Sequence, residues 1–105
     1  MPQTAMIDIN PGQPNASFSP NPLKVGTNTV ISWRNNDTQY AHWPTPAPAV
    51  GQPVVKNAWM DFQIPAKLPN EPAPTSIQTV NFADAGTYNY VDANNPNVKG
   101  SIVVT

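Results

Sequence analysis

The chain contains a single histidine, His42, and no cysteine. The missing thiols remove disulfides, thiol catalysis and thiolate metal ligation together. One imidazole also falls short of the three or four protein ligands that zinc sites use. Asp92 is the most informative acid. Tyr88, Tyr90 and Asp92 alternate with Asn89 and Val91, the period-2 pattern of a strand with one face turned inward. Asp92 then points inward with the tyrosines, and an ionised carboxylate buried there must be paired, hydrogen-bonded or protonated. Tyr40 and Trp43 flank His42, and Pro44 follows them. Exposed aromatics beside prolines suit a protein surface, a proline-rich segment or a sugar face; the same residues equally suit a cover over one end of the fold. No Ser/His/Asp set has supporting context and no phosphate loop occurs, so the expectation is a protein that is not an enzyme. Two glycosylation sequons, Asn15-Ala-Ser17 and Asn36-Asp-Thr38, would matter only in a secreted eukaryotic protein.

The elements that must position these residues are short strands. With 105 residues the chain makes one domain, residues 1–105, that buries roughly 65% of its unfolded surface. Fourteen prolines against five glycines, with few strong helix formers, favour strands joined by Pro-set turns. A net charge of −1 with 10% charged residues gives no electrostatic footprint for nucleic acid or an acidic membrane. No apolar run reaches the ~20 residues of a membrane span, and no signal peptide opens the chain. An extracellular or periplasmic location is expected for a trimmed mature domain, and a cytoplasmic or virion location otherwise.

Thr4–Asn10 alternates as a first strand, and Pro11-Gly12-Gln13-Pro14 is a turn. Pro20 and Pro22 cannot donate to a ladder, so Phe18–Val25 is an edge strand or a strand that switches sheets. Thr29–Asn35 is a further strand. Pro44–Pro48 has a polyproline-like, stiff and extended pattern. Val54-Val55 and Ala58–Ile64 are strand candidates, with Trp33 and Trp59 expected in the core. Pro65–Pro74 reads as an irregular loop, Ser76–Phe82 as a strand, and Asp84-Ala85-Gly86 as a tight turn. After Asp92 the pattern predicts a loop over Ala93–Gly100 and a strand over Ser101–Val104. The sum is all-β: seven or eight short strands in an antiparallel Greek-key β-sandwich.

Two segments resemble the cupredoxins, the plastocyanin-like blue-copper proteins. The first, Phe18–Asn35, fits Phe-x-Pro-x-x-Leu-x-Val followed by Val-x-x-Trp-x-Asn, and His42 follows at the distance of the first copper histidine. The second, from Gly86 to Val104, fits Gly-x-Tyr-x-Tyr-x-Cys-x-x-His-x-x-Met-x-Gly-x-Ile-x-Val through Gly86, Tyr88, Tyr90, Gly100, Ile102 and Val104. The resemblance covers about half of the chain, with its parts in order. It implies a cupredoxin-like sandwich in which the Cys, His and Met ligand positions hold Asp92, Asn95 and Val98.

A blue-copper centre needs imidazoles, a thiolate and usually a weak axial thioether, so the resemblance implies a frame whose copper ligands have degenerated and a chain without cofactor. His42, Asp92, Asn95 and Val98 are then vestigial positions, with His42 and Asp92 facing each other if the family geometry holds. Three functions follow as expectations. One is a non-catalytic binding or structural module using Tyr40, Trp43, Pro44 and Pro96 on the Tyr40–Trp43 and Ala93–Lys99 loops toward a protein partner or a carbohydrate. Another is a hard-metal or non-blue copper site through His42 and Asp92. The last is a self-assembling subunit of a capsid, filament or cell-surface lattice.

Overall fold

Alternation along strand β1 (Thr4–Asn10) turns Ile7 and Ile9 inward, and both are fully buried. A computed structural model of the chain describes residues 3–12, 15–47, 63–78 and 82–105. The strand candidates at Val54-Val55 and 58–62, with Trp59, lie outside the described residues. Among the described residues the remaining strands are β2 (Ser17–Ser19), β3 (Leu23–Val25), β4 (Val30–Asn35), β5 (Pro44–Pro46), β6 (Thr75–Gln78), β7 (Gly86–Asp92) and β8 (Asn95–Val104). They form two four-stranded sheets, ordered β2-β1-β4-β6 and β3-β8-β7-β5.

The Phe18–Val25 run switches sheets, with β2 paired to β1 in one sheet and β3 to β8 in the other. Pro20 and Pro22 lie in the crossover, where no ladder donor is needed. Phe18 and Leu23 are buried on either side of it. Two pairings are parallel, β1 with β4 and β3 with β8, so the sandwich is mixed and not purely antiparallel as expected. Strand direction depends on which distant segments meet, and residue periodicity carries no record of that.

Tyr90 occupies the centre between the sheets. Its ring meets Phe18 edge-on at 4.7 Å between centroids and Trp33 at 6.3 Å, arrangements worth ~0.5–1.5 kcal/mol each beyond area burial. Gly100 lies opposite Tyr90 in the β7–β8 ladder, and a Cβ at that position would collide with the tyrosine ring. The glycine therefore makes room for the ring. At the far end Phe82 stacks on Tyr88 at 4.2 Å, and the Tyr88 hydroxyl donates to the Asp84 carbonyl across the turn at 2.7 Å.

Two local expectations are corrected. Pro44–Pro46 is the edge strand β5, paired antiparallel with β7, where polyproline geometry was expected. The two conformations share nearly the same ψ, and a strand with missing N–H groups is tolerated at a sheet edge. The ladder is closed by the flanking residues, with Ala47 N–H donating to Asn89 and Ala93 N–H to Trp43. The expected loop over Ala93–Gly100 shrinks to the turn Ala93-Asn94, because β8 begins at Asn95 opposite Asp92. A register shift at Val91/Asp92 absorbs the extra residues. This irregularity lets Val98 turn into the core while Pro96 stays exposed.

Candidate functional site

The site forms where β4 and β7 end on the same side of the sandwich. Strand β4 closes with Asn35, whose side chain is fully buried. Its amide faces the carbonyls of Tyr40, Ile64 and Pro65 at 3.1, 3.2 and 3.0 Å, and its oxygen accepts from Asp37 N–H at 2.9 Å. One side chain thus ties the loop after β4 to the segment around Ile64. A backbone bridge between His42 and Ile64, with bonds of 3.1 and 2.8 Å, completes the join.

Asp37 and Asp92 are built alike. Each spends Oδ1 on backbone N–H groups and presents Oδ2 to His42. Asp37 Oδ1 accepts from Gln39 at 2.8 Å and Tyr40 at 3.3 Å; Asp92 Oδ1 accepts from Trp43 and Asn94, both at 2.9 Å. His42 Nε2 contacts Asp37 Oδ2 at 2.8 Å, and its Nδ1 makes a short contact with Asp92 Oδ2. His42 and Asp37 are each 4% exposed and Asp92 is 0%. A neutral imidazole has one N–H and one lone pair, so only the imidazolium can donate to both carboxylates.

Electrostatics agree with that count. Burial alone would lower the His42 pKa, but the hydrogen bonds it donates to Asp92 and Asp37 and their negative charges outweigh it and raise it. For Asp92, burial pushes upward, and His42 with the Trp43 and Asn94 N–H groups overrides it, lowering the pKa. Asp37 is lowered in the same way, against burial, by Gln39, His42 and Tyr40. The expected inward carboxylate and its facing histidine are therefore both present.

A cleft of about 770 Å³ opens above the cluster, lined in part by Asp37, Tyr40, His42, Asp92, Asn94 and Asn95. Of the four positions that the sequence resemblance aligns with copper ligands, His42, Asp92 and Asn95 share one cavity, while Val98 belongs to the core. Asn95 donates its amide to Asn15 at 2.9 Å. Asn94 reaches from the turn to the Ala41 carbonyl at 3.1 Å and to Gln63 at 2.9 Å. Among the described residues, no group of three or more His, Cys, Asp or Glu is arranged to hold a metal ion.

Of the aromatic and proline positions expected at a binding surface, Tyr40 is 65% exposed and Pro96 is exposed. Trp43 is half-buried against the core, and Pro44 is fully buried. The Pro44 expectation is corrected: pairing of β5 opposite Asp92 turns its ring inward. Asp37 and Asn35 did not stand out in the sequence as site residues. The available signal was Asn-Asn-Asp at a strand end, which reads equally well as an ordinary Asx turn.

Solved structures with this architecture are plentiful. Plastocyanin from Dryopteris crassirhizoma superposes with a TM-score of 0.69 at 19% identity, covering 96% of this chain and 100% of that one. The chain has the cupredoxin fold. A purple cupredoxin from Nitrosopumilus maritimus gives 0.68 at 20% identity, covering 96% and 99% of the two chains. Amicyanin from Paracoccus versutus gives 0.66 at 16% identity, covering 97% and 81%. No protein-family model and no curated protein sequence matches the chain. The cupredoxin frame thus extends over nearly all of the chain, where the two sequence segments alone covered about half.

Proposed function

We propose that the chain is a non-catalytic binding or structural module on a cupredoxin frame, without a functioning blue-copper site. The observation that carries this reading is the clasped state of His42. Both ring nitrogens face carboxylates, on a chain with no second histidine and no thiolate. A metal-binding imidazole must offer a lone pair, and here each nitrogen is turned to an acceptor. The residues present therefore do not fit a blue-copper ion, and electron transfer by that route has no chemical support. Hard-metal binding through His42 and Asp92 would have to break the buried contact between them.

The exposed parts of the same end suit contact with a protein partner. Tyr40 stands at the rim of the cleft as a large amphipathic side chain, and Pro96 projects from the neighbouring hairpin. Untagged protein is expected to remain colourless and redox-silent when titrated with Cu(II), because no thiolate can supply the intense charge-transfer band. Absorption spectroscopy with voltammetry checks this. An intense visible band, or a reversible copper couple at one equivalent, would overturn the reading.

A further inference from the structure

We propose that the Asp37–His42–Asp92 bridge is a proton-operated clasp: loss of one imidazole proton separates the 36–42 loop from the β7–β8 turn and loosens the cleft between them. The inference goes beyond the binding-module reading and does not depend on any partner.

His42 is a single ring placed between a carboxylate of its own loop and a carboxylate at the end of β7. Through Oδ1, those carboxylates fix the N–H groups of Gln39 and Tyr40 on one side and of Trp43 and Asn94 on the other. Gln39, Tyr40 and Asn94 also line the cleft. The charge state of the ring is therefore wired to the backbone that shapes the cavity.

Proton loss reverses the sign of one contact. The released proton goes to solvent, and the freed lone pair then faces a carboxylate oxygen at hydrogen-bond distance. Two buried carboxylates remain with no cation between them, which is strongly unfavourable. Among the described residues, nothing nearby replaces that charge. Ile64, which bridges to the His42 backbone, and Gln63 and Asn94, which line the same cleft as His42, are uncharged, and Lys67 meets Asp37 through its backbone N–H. Arg34 is paired with Asp8 at 2.7 Å, and among the described residues no other ion pair involves Asp37, His42 or Asp92.

The pH window follows from the directions of the shifts. The raised histidine contributes stability that is full below its unfolded value, about 6.5, and fades as pH climbs through the folded one. The lowered carboxylates contribute fully above about 4 and lose that contribution as pH falls through their folded values. The clasp's contribution to stability is thus full between about pH 4 and 6.5, and it is lost as pH rises through the raised folded value of His42 or falls through the lowered folded values of the carboxylates.

Nitrogen-15 NMR of the wild-type protein across pH 5–10 tests this directly, with the His42 ring and the Gln39, Tyr40, Trp43 and Asn94 amides followed together. One shared midpoint above the ordinary imidazole value is expected, with at least a tenfold loss of hydrogen-exchange protection at those amides beyond it, after correction for intrinsic rates. In Asp37→Asn and Asp92→Asn the ring midpoint should fall. A ring that titrates while the four amides keep their shifts and protection would overturn the clasp. A ring already neutral at pH 6 would overturn it too. The wild-type titration decides the matter even if a variant fails to fold.

Discussion

Replacing His42 by alanine is expected to lower folding stability by about 3–5 kcal/mol at pH 6, the range for removing one partner of a buried ion pair. The substitution leaves Asp37 and Asp92 ionised, buried and without the cation they share. Each retains two backbone N–H donors, which moderates the loss without cancelling it. Two further outcomes separate this mechanism from simple loss of packing. The deficit should shrink toward acid pH, where the carboxylates can take up protons. Adding Asp92→Asn to His42→Ala should restore part of the stability, because it removes one uncompensated charge. Urea denaturation midpoints of the single and double variants measure both effects. A loss below about 1 kcal/mol, typical of an exposed pair, would mean that the bridge contributes little.

The second large effect is a gain of chemistry. Asp92→Cys, Asn95→His and Val98→Met together should create tight Cu(II) binding with thiolate-to-copper absorption, neither of which is expected of the wild type. The geometry favours it in three respects. Position 92 faces Nδ1 of His42, residue 95 lines the same cavity, and the β7–β8 turn already brings 92 and 95 opposite each other. Asp92→Cys also frees Nδ1 from its carboxylate. Val98 is buried in the core, so the methionine must bend out of it to reach the metal, and its flexible chain suits that task. A tetragonal green or red site would still satisfy the prediction, since colour needs the thiolate bond and not an ideal geometry. A folded triple variant that binds no copper would show that the ligand-equivalent positions do not converge, and the residue-by-residue correspondence would fail.

The sequence made the frame legible because the frame is periodic. Ile7 and Ile9 alternate in β1, and Tyr88, Tyr90 and Asp92 alternate in β7, so their inward faces could be read directly. Pro20 and Pro22, whose missing N–H groups forbid a continuous ladder there, left an edge strand and a sheet switch both open, and the pairings of β2 and β3 decide for the switch. Pro44–Pro46 and 93–100 misled for a related reason. Proline and asparagine signal the absence of regular bonding, yet an edge strand needs few donors and a bulged hairpin tolerates several irregular residues. At the site, Asp92 was visible because a strand fixes its direction. Asp37 was not, because it lies on a loop whose course is set by Asn35 and Ile64, contacts made only after the chain has folded. The His42 clasp is thus half local and half tertiary, and only the half carried by a strand could be anticipated.

The central claim, that protons and not a metal ion occupy the two nitrogens of His42, is tested most directly by watching that ring while metal is added. With nitrogen-15-labelled protein at pH 6, Zn(II) and Cu(I) would be titrated separately to several equivalents, following both ring nitrogens. The expected result is an imidazolium spectrum, with both nitrogens protonated, that does not change up to and beyond one equivalent. A saturable shift of either ring nitrogen with one-to-one stoichiometry, accompanied by loss of its proton, would contradict the account and make His42 a metal ligand.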